Sequence, residues 1–569
     1  MPVSTFKKAV FSLVLTLSAG QLTAEGLSGA YLAGRQASYN SDFAAAAEYY
    51  TQALARDPGN VGLMESAVLS FLALGEVEKA LPIARHLEEK GADSQLASMV
   101  LAAGLVSKGD YDALIARMNA EKGVGPLVDG LMTAWAHVGS GQMSEALAAF
   151  QAVGSEPGLI AFSSYHQALA LASVGDFEGA AALFEEQMDN GLQLTQRGAW
   201  ALVEIYSQLD RRDDAISLLD GVFGAGLNPE LNDIRARLEA GETLPFTQIT
   251  SAKDGLAEVF FSIASALEHE ANADYTLLYA RVAEFLRPDH FDALILSAGL
   301  LEELGRFELA TEAYRRVPPE HPSYYQAELG RADALRRSDR NEAAIEVLEQ
   351  LARSHSGLSI VHSSLGDVLR GQKEFARAAA AYDTAIGLID EGSPGLWFLH
   401  YARGISHERL DDWDRAEADF RAALELNPDQ PQVLNYLGYS LVEKQIKLDE
   451  ALDMIERAVA AQPQSGYIVD SLGWVLYRLG RYDEAVDHME RAVELMPIDP
   501  VVNDHLGDVY WAVGRKLEAA FQWRRALSFV DAETAEEAKP DRIRRKLDVG
   551  LDQVLEEEGA APLKVANEG

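Results

Sequence analysis

Twelve histidines, 88 acidic residues and no cysteine set the range of side-chain chemistry open to this chain of 569 residues. The missing cysteine removes thiol nucleophiles, thiolate metal sites, disulfides and the lipid-bearing cysteine of an anchored envelope protein together. His362, His400 and His407 fall close enough in sequence to suggest a metal site. However, His362 and His400 take the same position in successive segments of a repeating pattern, and His137 and His407 share another position of it. Positions that recur with a repeat belong to its scaffold, so no metal and no cofactor is expected. The acidic residues are dispersed, and no pair is set in apolar surroundings as glycosidase carboxylates are. There is no phosphate-binding loop, no glycine-rich dinucleotide turn, no nucleophile elbow and no HExxH helix. Catalysis is therefore the minor reading, and binding the major one. The binding candidates are aromatics interleaved with short polar residues near the end of the chain: Tyr401, Asn435, Tyr439, Tyr467, Asp470, Trp474, Tyr477, Asp504, Asp508 and Trp511.

The elements that must position them can be read from residues 466–499, GYIVDSLGWVLYRLGRYDEAVDHMERAVELMPID. Leu472 and Gly473 lie within a first amphipathic helix, and Gly480 and Arg481 break it. Ala485, Met489 and Ala492 mark the inner face of a second helix, and Pro497 stops the chain. Two antiparallel helices approach closely where both present small residues, here Gly473 against Ala485 and Ala492, with Met489 beside them. This order resembles the tetratricopeptide repeat, a 34-residue helix-turn-helix. The pattern returns along the chain. Six units begin near 27, 61, 95, 127, 161 and 196, and eight begin near 257, 291, 323, 359, 397, 431, 466 and 500. The phase is lost between 230 and 256, where one short helix precedes irregular chain. That stretch reads as either a hinge or an insertion into the groove. The unit at 431 has one extra residue before Ala451, which implies a longer turn at 445–448.

The expected fold is an all-α solenoid of the tetratricopeptide type, a superhelical stack of antiparallel helix pairs. It divides into an array over 27–229, a junction over 230–256, a second array over 257–533, a capping helix within 534–558 and a tail over 559–569. Ile543, Leu547, Leu551 and Leu555 give the capping helix one apolar face. Residues 1–24 read as a secretory leader: Lys7 and Lys8 precede an apolar run over 9–17, with cleavage expected after Ala24. No later stretch approaches the roughly 20 apolar residues of a membrane helix, so a periplasmic or secreted location follows. The net charge of −39 argues against nucleic acid. The short basic runs, Arg542 to Lys546 among them, read as solvated helix faces.

In a solenoid of this family the first helices line the concave face, and the ten candidates above occupy its groove positions. Aromatics at that density suit a peptide or a partner helix. They could instead pack between adjacent first helices, or bind glycan or peptidoglycan. Some family members clamp a C-terminal carboxylate with cations at these positions, but here Tyr, Trp and Asp stand in their place. The blocks NYLGYSLVEKQIKLDEAL, YIVDSLGWVLYRLGRYDEAV and NDHLGDVYWAVGR resemble a subgroup from bacterial envelopes. Its members include lipoprotein adaptors that present substrates to a carboxyl-terminal processing protease trimming cell-wall hydrolases. The resemblance thus implies protein or peptide partners, a periplasmic protease or cell-wall hydrolases among them.

Overall fold

The computed structural model describes residues 27–191, 193–224 and 229–563. The leader expected over 1–24 lies outside the described residues. Every regular element among those described is a helix, and the helices alternate as first and second members of antiparallel pairs at all the unit positions expected. The chain divides into two compact units, 1–351 and 352–569. That boundary falls inside the helix Asn341–Ser354, not at the phase break over 230–256.

In the second unit the pair Gly466–Leu479 and Tyr482–Leu495 shows how the repeat closes. Gly480, at φ 80°, ends the first helix, and its N–H returns to the carbonyls of Leu476 and Tyr477. Glycine takes this left-handed conformation without a Cβ penalty. Ala485 and Ala492 are fully buried between the helices. The reason for glycine at 473 differs from the expected small-on-small contact: a Cβ there would lie 2.7 Å from Met489 Cγ, so Gly473 makes room for methionine. Gly507 does the same for Trp523, and Gly366 for Tyr382. The extra residue of the 431 unit is taken up where expected, with Gln445 and Lys447 both at positive φ before the helix Leu448–Ala461.

The end of the second unit departs from the single capping helix. Gly550, at φ 87°, separates Pro540–Val549 from Leu551–Glu557. A Cβ at Gly550 would lie 2.6 Å from Trp511 Cζ2, so the break lets the indole sit against the backbone. Ile543 and Leu551 are nonetheless buried as the apolar pattern requires.

In the first unit six helix pairs run from Leu27 to Phe223, followed by the helix Pro229–Glu239. Residues 244–248 then lie along Gln196–Gln208. Ser207 Oγ accepts from Leu244 N, and the Glu204 carboxylate accepts from Thr247 N and Oγ1. The next helices turn back into the array. Ala252–Leu267 packs on Pro126–Gly139 and Ile160–Ser173, and Ala273–Leu286 packs on Val61–Ala73 and Gln95–Val106. Gly255 permits the first contact, because a Cβ there would fall 2.2 Å from the Trp135 ring. Arg281 Nε donates to the Ala73 carbonyl, and Arg306 Nη2 to that of Asn40. Of the two readings of the phase break, the structure shows chain that leads helices into the array.

Candidate functional site

The ten groove candidates of the second unit meet different fates. Trp474 is stacked between Tyr477, 4.8 Å away by ring centroid, and His505, 4.0 Å away, while its Nε1 donates to Glu443 Oε1 at 2.7 Å. Both Trp474 and Tyr477 are buried. Asp470 accepts from His505 Nδ1 at 3.0 Å. Burial alone would lower the His505 pKa, but Asp470 beside it, with Asp504 and Asp508, outweighs this and raises it. Asp504 and Asp508 are buried around the ammonium of Lys546, with Nζ–O distances of 2.6 to 2.9 Å. Trp511 Nε1 donates to Asp552 Oδ2. These residues are packing and ion-pairing groups, not open anchors. The helices bring first-helix neighbours together, and the C-terminal helices cover the last groove positions.

Within residues 542–546 the reading as a solvated face holds for the exposed Arg544 and Arg545 but fails at Lys546, which is 1% exposed. Arg542 likewise pairs with Glu558. What stays accessible lies earlier in the row. Tyr467 is 65% exposed and Phe398 36%. Tyr401 and Tyr439 are half-buried, and burial together with Glu443 raises the Tyr439 pKa well above that of a free phenol. Asn435, also half-buried, has its Oδ1 shielded from solvent and without a hydrogen bond.

A second constellation, which the sequence did not single out, lies in the first unit. Glu258, on the returning helix, is buried. Its Oε1 accepts from Tyr165 Oη at 2.7 Å, Arg197 Nε lies 2.8 Å from Oε2, and His290 Nε2 lies 3.1 Å from Oε2. Arg197 Nη1 also donates to Asp292 Oδ2 at 2.7 Å. Burial pushes the carboxyl of Glu258 up, but Arg197 and His290 overcome this and hold it well below the usual range. His290 accepts from Ala293 N through Nδ1, so it is neutral and its Nε2–H donates to Glu258; burial and Arg197 lower its pKa. A carboxylate so fully bonded is a poor proton acceptor, and the cluster is suited to holding structure rather than to acid–base catalysis. The only sequence signal was acidic and basic residues on helix faces otherwise read as scaffold.

The cluster floors a cavity of about 620 Å3 between Ile160–Ser173, Phe177–Asp189, Gln196–Gln208 and the returning helix. A second cavity of about 380 Å3 shares Gln196, Arg197 and Asp292 with it. Behind the cluster, His166 is fully buried. Trp135 Nε1 donates to its Nδ1 at 3.2 Å, and Ser262 Oγ lies 3.2 Å from its Nε2. Ser262 donates to the Glu258 carbonyl, so it accepts from His166 Nε2–H and the imidazole is the neutral tautomer. Burial lowers its pKa to about 4. Among the described residues no group of three or more His, Cys, Asp or Glu could hold a metal ion, and no helix is long and apolar enough to cross a membrane.

Comparison with known proteins agrees with the helix pairing. A family model described as tetratricopeptide repeat matches residues 31–97, 329–394 and 401–465, and a second matches 469–499. A TPR repeat-containing protein of Pseudomonas aeruginosa is 26% identical over 183 residues, covering 32% of this chain and 30% of the relative. Protein O-mannosyl-transferase TMTC1 of Homo sapiens is 25% identical over 196 residues, 34% of this chain and 21% of that protein. A lipoprotein NlpI homolog of Haemophilus influenzae is 35% identical over 85 residues, 15% of this chain and 26% of the relative. The chain thus spans less than a third of the length of each of these relatives. Residues 31–97, 329–394, 401–465 and 469–499 thus carry tetratricopeptide repeats, and the other described helices between them pair in the same alternating way.

Proposed function

We propose that this chain is a non-enzymatic scaffold of the bacterial cell envelope, exported to the periplasm, which holds protein partners and presents substrates to a processing protease. Tetratricopeptide repeats are a protein-binding architecture, and the likeness to a lipoprotein of Haemophilus over 85 residues supports an envelope setting. The observation that carries the reading is Asn435 Oδ1. It is an acceptor shielded from water and without a partner, on the groove row that also holds the exposed Tyr467. A sheltered acceptor left unpaired costs stability, which favours turning the half-buried Asn435 side chain toward a bound peptide, whose backbone N–H would pair with it. The alternative, a glycan or peptidoglycan bound along the aromatic groove, would call on Trp474, and that ring stacks on Tyr477 and on His505.

The test is affinity capture from an envelope extract, comparing the full chain with an Asn435→Ala/Tyr467→Ala double variant. A protease or cell-wall hydrolase retained by the first and lost by the second is the expected result. Equal capture by both would refute the groove, and turnover of a substrate by the purified chain alone would refute the scaffold reading.

A further inference from the structure

The cavity of about 620 Å3 in the first unit is a site distinct from the Asn435 groove. Its walls include Phe162, Leu183, Phe184, Leu194 and Phe261. Part of its floor comes from the returning helix, through Glu258, and part from the helix Phe291–Glu303, through Asp292. A solenoid whose helices did not turn back would lack it. The volume lies within the range of pockets that enclose a ligand.

The floor states what polar group the cavity can take. Glu258 uses both oxygens on Arg197, Tyr165 and His290, and Arg197 uses Nε and Nη1 on Glu258 and Asp292. Three N–H groups of Arg197, two of them on Nη2, and Oδ1 of Asp292 are left. Arg197 Nη2 and Asp292 Oδ1 have no hydrogen bond among the described residues, although both side chains line the cavity. Free donors with a free acceptor are the complement of an amide group, whose C=O accepts and whose N–H donates. With one cation against two carboxylates, the floor also disfavours an anion.

We infer that this cavity binds an extended, uncharged apolar peptide segment of a partner protein. One amide of the segment bonds to Arg197 Nη2 and Asp292 Oδ1, and its side chains lie against the phenylalanine and leucine walls. A sugar of similar size would turn hydroxyls onto those walls and lose their hydrogen bonds to water without replacement.

The test uses the full chain immobilised and exposed to an equimolar library of hexapeptides, acetylated and amidated, composed of Leu, Phe, Val, Ala, Gly and Ser. Retained peptides are identified by mass spectrometry and the best titrated by calorimetry, with chitotetraose as the sugar probe. Ala266 and Ser265 are exposed residues of the cavity lining. Ala266→Trp should block it and weaken peptide binding at least about tenfold, with an unchanged melting temperature. Asp292→Asn keeps an oxygen for Arg197 and should weaken binding severalfold. If Ala266→Trp does not fold, Ser265→Trp serves in its place. Enrichment of Leu- and Phe-rich peptides by the wild type, lost in the blocked variant, supports the site. No enrichment, equal retention by the blocked variant, or tighter binding of chitotetraose than of any peptide overturns it. The Asn435→Ala/Tyr467→Ala variant should bind the library as the wild type does, so failure of the groove and failure of this cavity are separable.

Discussion

His166 makes the first unit sensitive to acid, and the size of the effect follows from its two hydrogen bonds. Nδ1 already accepts the Trp135 indole N–H, and Nε2–H is directed to Ser262. A second proton can be placed only on Nδ1, where it would face the Trp135 N–H in a site with no water-exposed surface. The folded pKa accordingly drops from 6.5 to about 4 because burial disfavours the charged ring. A histidine depressed in the folded state contributes stability fully above its unfolded pKa and loses it as pH falls toward the folded one. At pH 5 the unfolded ring is almost wholly protonated and the folded ring almost wholly neutral, so the loss relative to pH 8 is about 2 kcal/mol. Urea unfolding of the full chain at pH 8 and pH 5, followed by tryptophan emission and by hydrogen exchange of residues 126–139, measures it. Carboxylates also titrate in this window, so the comparison is with His166→Gln. A glutamine can accept from Trp135 and donate to Ser262, yet cannot titrate, and it should remove about 2 kcal/mol from the pH dependence. If His166→Gln shows the same loss between pH 8 and pH 5 as the wild type, the reasoning fails.

Ala485→Arg places a charged chain at a fully buried helix contact and should cost at least ~3 kcal/mol, read as a lower melting transition of the second unit. Lys546→Met leaves Asp504 and Asp508 buried together with only Arg542, 3.6 Å from Asp508, as a cation. It should cost ~3–5 kcal/mol and expose residues 530–563 to limited proteolysis, whereas the triple variant with Asp504→Asn and Asp508→Asn should recover most of the loss. Trp474→Ala should destabilise by ~3–5 kcal/mol in urea, as loss of a buried aromatic does, while Tyr467→Ala should stay within ~0.5 kcal/mol of the wild type.

The helix pairs were legible because their signal is local. Gly480 and Gly514 at positive φ, Ala485 and Ala519 at zero exposure, and the glycine opposite a large side chain recur from one 34-residue period to the next. Even the lengthened turn before Leu448 showed as a shift of phase. What the sequence hid is what one repeat does to another far along the chain. Trp474 and Tyr477 occupy groove positions by their spacing, but whether their faces stay open depends on His505, in the next repeat. Gly255 looks like an ordinary residue of the phase break until it is seen to pass Trp135 at contact distance, 120 positions earlier in the chain. Periodicity reports which face a residue takes, and says nothing of what returns to cover that face.

The scarcity of cations offers a way to recover part of that information. With 88 acidic against 49 basic residues, most carboxylates must stay in water, because a buried one without a partner loses its hydration for nothing. A buried carboxylate needs donors brought to it: Thr247 and Gln248 serve Glu204 and Arg331 serves Glu328 from one turn away, but at the returning segments a cation comes from afar. Lys546 reaches Asp508 across 38 positions, and Arg197 reaches Glu258 across 61 and Asp292 across 95. Arg281 extends the pattern by capping the Ala73 carbonyl across 208 positions while pairing locally with Glu284. Each of these cations sits where the chain folds back on its own repeats. The returning helices are therefore tied in place by ion pairs set among apolar contacts. Such pairs add little net stability against a hydrophobic replacement, but they penalise any other docking, which would leave Glu258 or Asp508 buried and unpaired. On this argument the acidic background is part of the fold's specificity: it makes each buried cation decisive for where a returning segment can dock.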